Sequence, residues 1–204
     1  MSWDSVIQSI KPEMESRHAA REAALKANRE IIQICSRSIK NVHRRDYDAA
    51  KSLLDQAREL ASNARKATDD HPEIKYAGYL QDAEKELVEA AGCIALALGE
   101  QPPTADDLGV GPTSYLNGMG ECASEMRRTV LDLMREGNFA DAERIHKLME
   151  AIYDDLTEFD FPDGLTGGLR RTCDALRAVI ERTRSDLTLT KIQRDLMDTL
   201  NSQG

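Results

Sequence analysis

The stretch from Leu87 to Gly99, Leu-Val-Glu-Ala-Ala-Gly-Cys-Ile-Ala-Leu-Ala-Leu-Gly, is a run of apolar and small residues with one charged side chain, Glu89. A carboxylate in such surroundings is costly to ionise, so it is protonated, paired with a cation or bound to a metal. Glu86 stands one turn earlier, and on a helix its i,i+3 spacing puts both carboxylates on one side. A second pair, Glu121 and Glu125, is four residues apart and shares a helical face with Gly118 and Cys122. Like charges at that spacing disfavour a helix unless something positive lies between them. Gly118 and Gly120 each cost a helix about 1 kcal/mol relative to alanine, which points to close helix packing or to room for a ligand. If the two helices pack together, Glu86, Glu89, Glu121 and Glu125 converge. Such an oxygen-rich set suits Mg²⁺ or Mn²⁺, hard cations that keep coordination positions for phosphate oxygens and assist phosphodiester hydrolysis. Glutamates at helical spacing more often form a solvated face, and the apolar flanks of Glu89 are what argue otherwise.

No other catalytic constellation competes with the acids. His18, His43, His71 and His146 are scattered, no serine or cysteine has a triad setting, and there is no phosphate-binding glycine loop. Cys35, Cys93, Cys122 and Cys173 are too widely spaced for a zinc site and are read as buried free thiols. Positive charge is local. Arg37, Lys40 and Arg44 share a face late in the first helix, with His43 and Arg45 beside them, and Arg17, Arg21 and Arg29 lie upstream. Arg127 and Arg128 follow the second acidic pair, and Arg170 and Arg171 open a later helix. Singly these are ordinary surface or ion-pairing residues. Grouped on an inner surface they would track RNA phosphates, with little base stacking because aromatics are only 4% of the chain.

The elements that must position these groups are all helical. The 204 residues are rich in Ala, Leu, Glu, Arg and Lys, the composition of packed helices, and the chain is read as one all-α domain over residues 1–204. Small and apolar residues at three- and four-residue steps predict a helix from about Trp3 to Val42, with Pro12 obscuring its start. Asp46 caps a second helix to about Thr68, and a third is expected from near Pro72 to Leu98. The segment from Gly99 to Pro112 reads as a loop. A fourth helix follows from Thr113 to about Arg135, a fifth carries Ala140 to Leu156, a sixth runs from Leu169 to about Arg184 and a seventh from Asp186 to Leu200. Asp46-Tyr47 and Asn138-Phe139 open two helices in the same manner, a shared corner too short to be a repeat. The count is seven helices and no β-sheet.

The net charge of -9 gives no overall basic signature, so a nucleic acid must meet a local patch. The N-terminus lacks a basic segment followed by an apolar core, and no stretch approaches the roughly 18 apolar residues of a membrane span. A soluble, cytoplasmic protein without membrane contact is expected.

The motifs together resemble the translin superfamily. Gln81-Asp82-Ala83-Glu84-Lys85-Glu86-Leu87-Val88-Glu89-Ala90 is similar to its segment ending E-[YF]-[VI]-E-A. Tyr115-Leu116-Asn117-Gly118, followed by Glu121 and Glu125, is similar to its Y-L-x-G-x-x-D-x-x-G-E-x-x-R element. Val42-His43-Arg44-Arg45-Asp46-Tyr47, Arg135-Glu136-Gly137-Asn138-Phe139 and Tyr153 extend the resemblance over most of the chain. It implies a seven-helix translin-like bundle and, of the two branches, the translin-associated factor X (TRAX) branch, whose glutamates bind a divalent metal and cut single-stranded RNA. Glu86, Glu89 and Glu125 fall on family catalytic or metal-binding positions. Glu121 stands where an aspartate is usual, and Ala123 and Ser124 replace the usual threonine and glycine. Of the basic residues, the resemblance makes Arg37, His43, Arg44 and Arg45 candidate RNA contacts, and Lys40 joins them by sharing their face. It further implies a closed shell of subunits, commonly octameric, with the sites facing inward. The expectation is therefore an Mg²⁺- or Mn²⁺-dependent endoribonuclease acting on single-stranded or short RNA within a homo-oligomer. The alternatives are a translin-like oligomer that binds single-stranded RNA or DNA without cutting it, and a structural helical adaptor.

Overall fold

The computed structural model describes residues 2–202, and among them there are helices and no strands. The elements are α1 (Trp3–His43), α2 (Tyr47–Lys66), α3 (Pro72–Lys75), α4 (Gln81–Leu98), α5 (Ala105–Leu108), α6 (Pro112–Arg135), α7 (Phe139–Thr157), α8 (Asp163–Thr166) and α9 (Leu169–Ser202). The all-α expectation holds, with differences in how the segments divide. The third expected helix does not start at Pro72: α3 is a single turn, and the chain turns at Gly78, in the left-handed region at φ 84°, before α4 begins. The expected loop from Gly99 to Pro112 contains the one-turn α5, held by a reciprocal capping box between Thr104 and Asp107. The expected sixth and seventh helices are one helix, α9, because neither glycine nor proline lies near Ser185 to interrupt the backbone bonds. Pro12 is likewise accommodated inside α1, in its exposed N-terminal part.

The two similar corners are both helix caps. Asp46 accepts a hydrogen bond from the Ala49 N–H at 3.2 Å, and Asn138 accepts one from the Asp141 N–H at 3.3 Å. Each satisfies a donor that the first turn leaves without a partner.

The helices that carry the acids, α4 and α6, sit between two apolar clusters. On one side Ile31, Cys35 and Ile39 of α1 and Ala57 and Ala61 of α2 pack on Leu87, Ala90 and Ala91 of α4. On the other, Cys122, Met126 and Val130 of α6 pack on Ile145 and Met149 of α7 and on Cys173, Leu176 and Ile180 of α9. All four cysteines are free and buried, as expected. Among the described residues no helix is long and apolar enough to cross a membrane.

Candidate metal centre

The site begins with the crossing of α4 and α6, and small residues set its depth. A Cβ on Gly118 would lie 2.6 Å from the Lys85 carbonyl oxygen and from Val88 Cβ, and one on Gly92 would lie 2.7 Å from Cys122 Sγ. The helix-interior glycines therefore serve close packing. Gly120 does the same toward α9, where its Cβ would meet Thr172 Cγ2 at 2.6 Å. Behind the crossing, Cys93 Sγ and Cys122 Sγ lie 3.7 Å apart. Asn28 of α1 accepts a hydrogen bond from the Ala83 N–H at 3.0 Å and pins the start of α4.

At this crossing Glu86, Glu89 and Glu121 each present a carboxylate oxygen within 4.8 Å of the others, and all three are half-buried. Burial raises the Glu89 carboxyl to about 8, with the negative charges of Glu86, Glu121 and Glu125 adding to the effect and Lys85 opposing it. Burial also raises Glu86, reinforced by Glu121. Lys85 donates to Glu121 at 3.0 Å. Burial works against its ammonium, but the bond and charge of Glu121 outweigh that and raise its pKa overall. Three converging, half-buried carboxylates against one lysine leave the site short of positive charge. An all-oxygen donor set of this kind fits a hard divalent cation. The extra methylene of Glu121, relative to the family's usual aspartate, does not remove it from the cluster.

Glu125 is placed differently. Its Oε1 lies 2.6 Å from His43 Nε2, and the His43 side chain is only 3% exposed. In the Nε2–H tautomer the imidazole donates to this carboxylate oxygen. His43 Nδ1 is then left buried with no hydrogen-bond partner. The imidazole is thus a support for Glu125, and its buried position sets it apart from the open basic surface with which the sequence grouped it.

Glu86, Glu89 and Glu125 line one cavity of ≈ 290 Å³ with His43, Lys40 and Arg128. Lys40 and Arg128 are exposed, and neither is in an ion pair among the described residues. Arg37 and Arg44 are exposed on the same end of α1. Arg45 adopts φ 61° in the turn and pairs with Glu136. Arg127 is taken by Thr183 and Asp186, at 3.0 and 2.7 Å, and Arg170 by Asp160 at 2.9 Å. Sequence reasoning singled out neither Lys85 nor Arg128 for the site. The signal was their spacing: Lys85 is four residues before Glu89, and Arg128 three after Glu125.

A bundle without strands among the described residues, in which two central helices oppose carboxylates beside free cations, matches what is expected of a translin-like protein. Comparison with solved structures agrees. The chain superposes on AfC3PO in its complex with duplex RNA with a TM-score of 0.84 and 38% identity, covering 92% of this chain and 97% of that one. For the crystal structure of AfC3PO alone the values are 0.84 and 38%, over 92% and 98%. Apo-NeC3PO, at 20% identity, shares the fold with a TM-score of 0.81 over 90% and 96%. An uncharacterised protein of Methanocaldococcus jannaschii is 29% identical over 175 residues, 85% of this chain and 78% of that protein. No family model matches the chain. The chain belongs to the translin superfamily, alongside the C3PO proteins.

Proposed function

We propose that this protein is a divalent-metal-dependent endoribonuclease of the TRAX-like branch, a single domain acting on single-stranded or short RNA within a shell of identical chains. The observation that carries the reading is the Glu86, Glu89 and Glu121 cluster, of which Glu86 and Glu89 line one cavity with the unpaired cations Lys40 and Arg128. The complex of AfC3PO with duplex RNA supports RNA as the ligand.

Glu86, Glu89 and Glu121 would hold Mg²⁺ or Mn²⁺. When bound, such a cation supplies neutralisation of phosphodiester charge and acidification of water. Glu125, outside the trio and fixed by His43, is the carboxylate free to orient the attacking water and accept its proton. Lys40 and Arg128, with Arg37 and Arg44 farther along, hold the phosphates on either side by charge, which gives weak sequence preference. Exposed apolar residues on the free ends of α1 and α9 support assembly with further copies. Four free, buried thiols accord with a reducing, cytoplasmic setting.

The test is cleavage of a labelled, unstructured RNA with Mg²⁺, with Mn²⁺ and with EDTA, beside Glu89→Gln. Metal-dependent cutting that disappears in the variant, with RNA affinity retained, is expected. RNA that is bound but stays intact in every condition would select the second reading, a translin-like binding oligomer, which the complex of AfC3PO with duplex RNA also fits.

A further inference from the structure

Beside the Lys85–Glu121 pair lies a second cavity, of ≈ 240 Å³, between the start of α4, the first half of α6 and the start of α9. Its charged lining is Lys85 and Arg171 against Glu121 and Asp82, with Asn117 and Thr172 in the wall. The wall is fixed: Asn117 donates to the carbonyls of Thr113 and Thr166 at 2.9 and 2.7 Å and accepts from Thr172 Oγ1 at 2.7 Å. Glu121 belongs equally to the carboxylate cluster, so this cavity borders the cluster through it.

Arg171 is the group with no partner. It is exposed and has no ion pair or side-chain hydrogen bond among the described residues, unlike its neighbour Arg170. Its guanidinium lies over Gly168, where a Cβ would stand 3.1 Å from Nη2, and Gly168 at φ 87° is in the left-handed region. The glycine therefore both makes the turn into α9 and leaves the guanidinium room over the main chain. A planar guanidinium with all its donors available is suited to bidentate contact with a phosphate. Lys85 adds a second charge from the opposite wall, and the first turn of the long α9 adds its own positive end.

We propose that this cavity holds a backbone phosphate of the RNA flanking the scissile linkage, gripped by Arg171 and Lys85. A ligand reaching from the carboxylate cluster across Glu121 into this cavity must be anionic at intervals, which a phosphodiester chain is and a single small anion is not. The proposal rests on the RNA-cleaving reading given above, and it locates the substrate strand relative to the metal centre: on one side of the cluster Lys40 and Arg128, on the other Lys85 and Arg171.

The experiment measures binding of a short labelled RNA in EDTA by wild type, Arg171→Ala and Arg171→Lys. Each is tested with unmodified RNA and with RNAs carrying one neutral methylphosphonate at each linkage in turn. Arg171 is on the surface, so the fold is retained. Arg171→Ala is expected to weaken binding roughly tenfold or more and to lower the slope of log K against log salt by about one. Arg171→Lys should recover part of the loss. One methylphosphonate should weaken wild type by a similar factor and leave Arg171→Ala unaffected. Unchanged binding by Arg171→Ala, or losses that multiply at every linkage, would overturn the proposal. RNA that binds in this manner but is never cut would leave the pocket standing and remove the nuclease reading. A wild type with no affinity for RNA would overturn both.

Discussion

Nε2 of His43 lies 2.6 Å from Oε1 of Glu125 and joins the end of α1 to the middle of α6 across the acidic site. The pair fixes one carboxylate while the other three converge on each other, so a lost imidazole should change the chemistry more than the grip on RNA. His43→Gln is expected to lower kcat roughly ten- to a hundredfold, the usual cost of losing a group that orients a site carboxylate. RNA affinity measured in EDTA should stay close to that of wild type. A large loss of affinity with kcat intact would instead make His43 an RNA contact.

Glu89 gives a pH dependence of stability whose sign is fixed by its environment. Its folded pKa is raised to about 8, mainly by burial, from an unfolded value in the ordinary carboxylate range. Below that range both states are protonated and the group costs nothing. Between the two pKa values the unfolded chain releases the proton while the folded one keeps it, so metal-free stability falls as pH rises and levels off above about 8. Glu89→Gln mimics the protonated acid at every pH. Denaturant melts in EDTA should show the variant equal to wild type near pH 4 and more stable near pH 9, by something of order a few kcal/mol. Mg²⁺ should stabilise wild type at the higher pH and leave the variant unmoved. A variant less stable than wild type at pH 9 would contradict the burial argument.

The long helices, their caps at Asp46 and Asn138 and the unusual setting of Glu89 were legible because each depends on neighbours within a few positions. The apolar period, the cap three residues before the N–H it accepts from and the flanks of one acid are all local. What was not legible depends on distance in the chain. His43 and Glu125 are 82 residues apart, and nothing near either announces that the imidazole turns inward while Lys40, one turn earlier, stays out. The division of the four acids into a trio and a histidine-held fourth depends on the close approach of α4 and α6, which Gly92 and Gly118 permit but do not encode. The expected break before Asp186 failed for a related reason: Asp186 receives Arg127 of α6 at 2.7 Å, so a residue read as a helix start is a tertiary anchor.

Gly118 makes the crossing testable on stability alone. Its added Cβ would meet a main-chain oxygen at 2.6 Å, and backbone cannot yield as a flexible side chain does. Gly118→Ala should therefore destabilise by about 1–3 kcal/mol despite alanine's better helix propensity. The measurement is the urea midpoint at unchanged slope. Gly164→Ala, where an added Cβ meets nothing within 4 Å, is the control and should move stability by no more than about 0.5 kcal/mol.

The ends of α1 and α9 carry the remaining prediction. Trp3, Ile7, Ile10 and Met14 recur at steps of four, three and four residues, the spacing of a coiled-coil seam, and all are exposed in the single chain. On α9, Leu189, Ile192, Leu196 and Leu200 are between 56% and 59% exposed at steps of three and four. Two apolar seams on helix ends are more than a lone soluble chain needs, and a further copy of the chain would cover them. Ile192 and Leu196 are well exposed within one subunit, so replacing both by glutamate should leave helicity and the unfolding midpoint of the dissociated chain near those of wild type. The charges would be buried and unpaired in an assembly, so the molar mass by light scattering should fall to that of a smaller species. Because the carboxylate cluster lies within one chain, metal binding should survive this change. A wild type that is already a monomer, or a double variant that keeps the full mass, would show that the α9 seam is not the contact between copies.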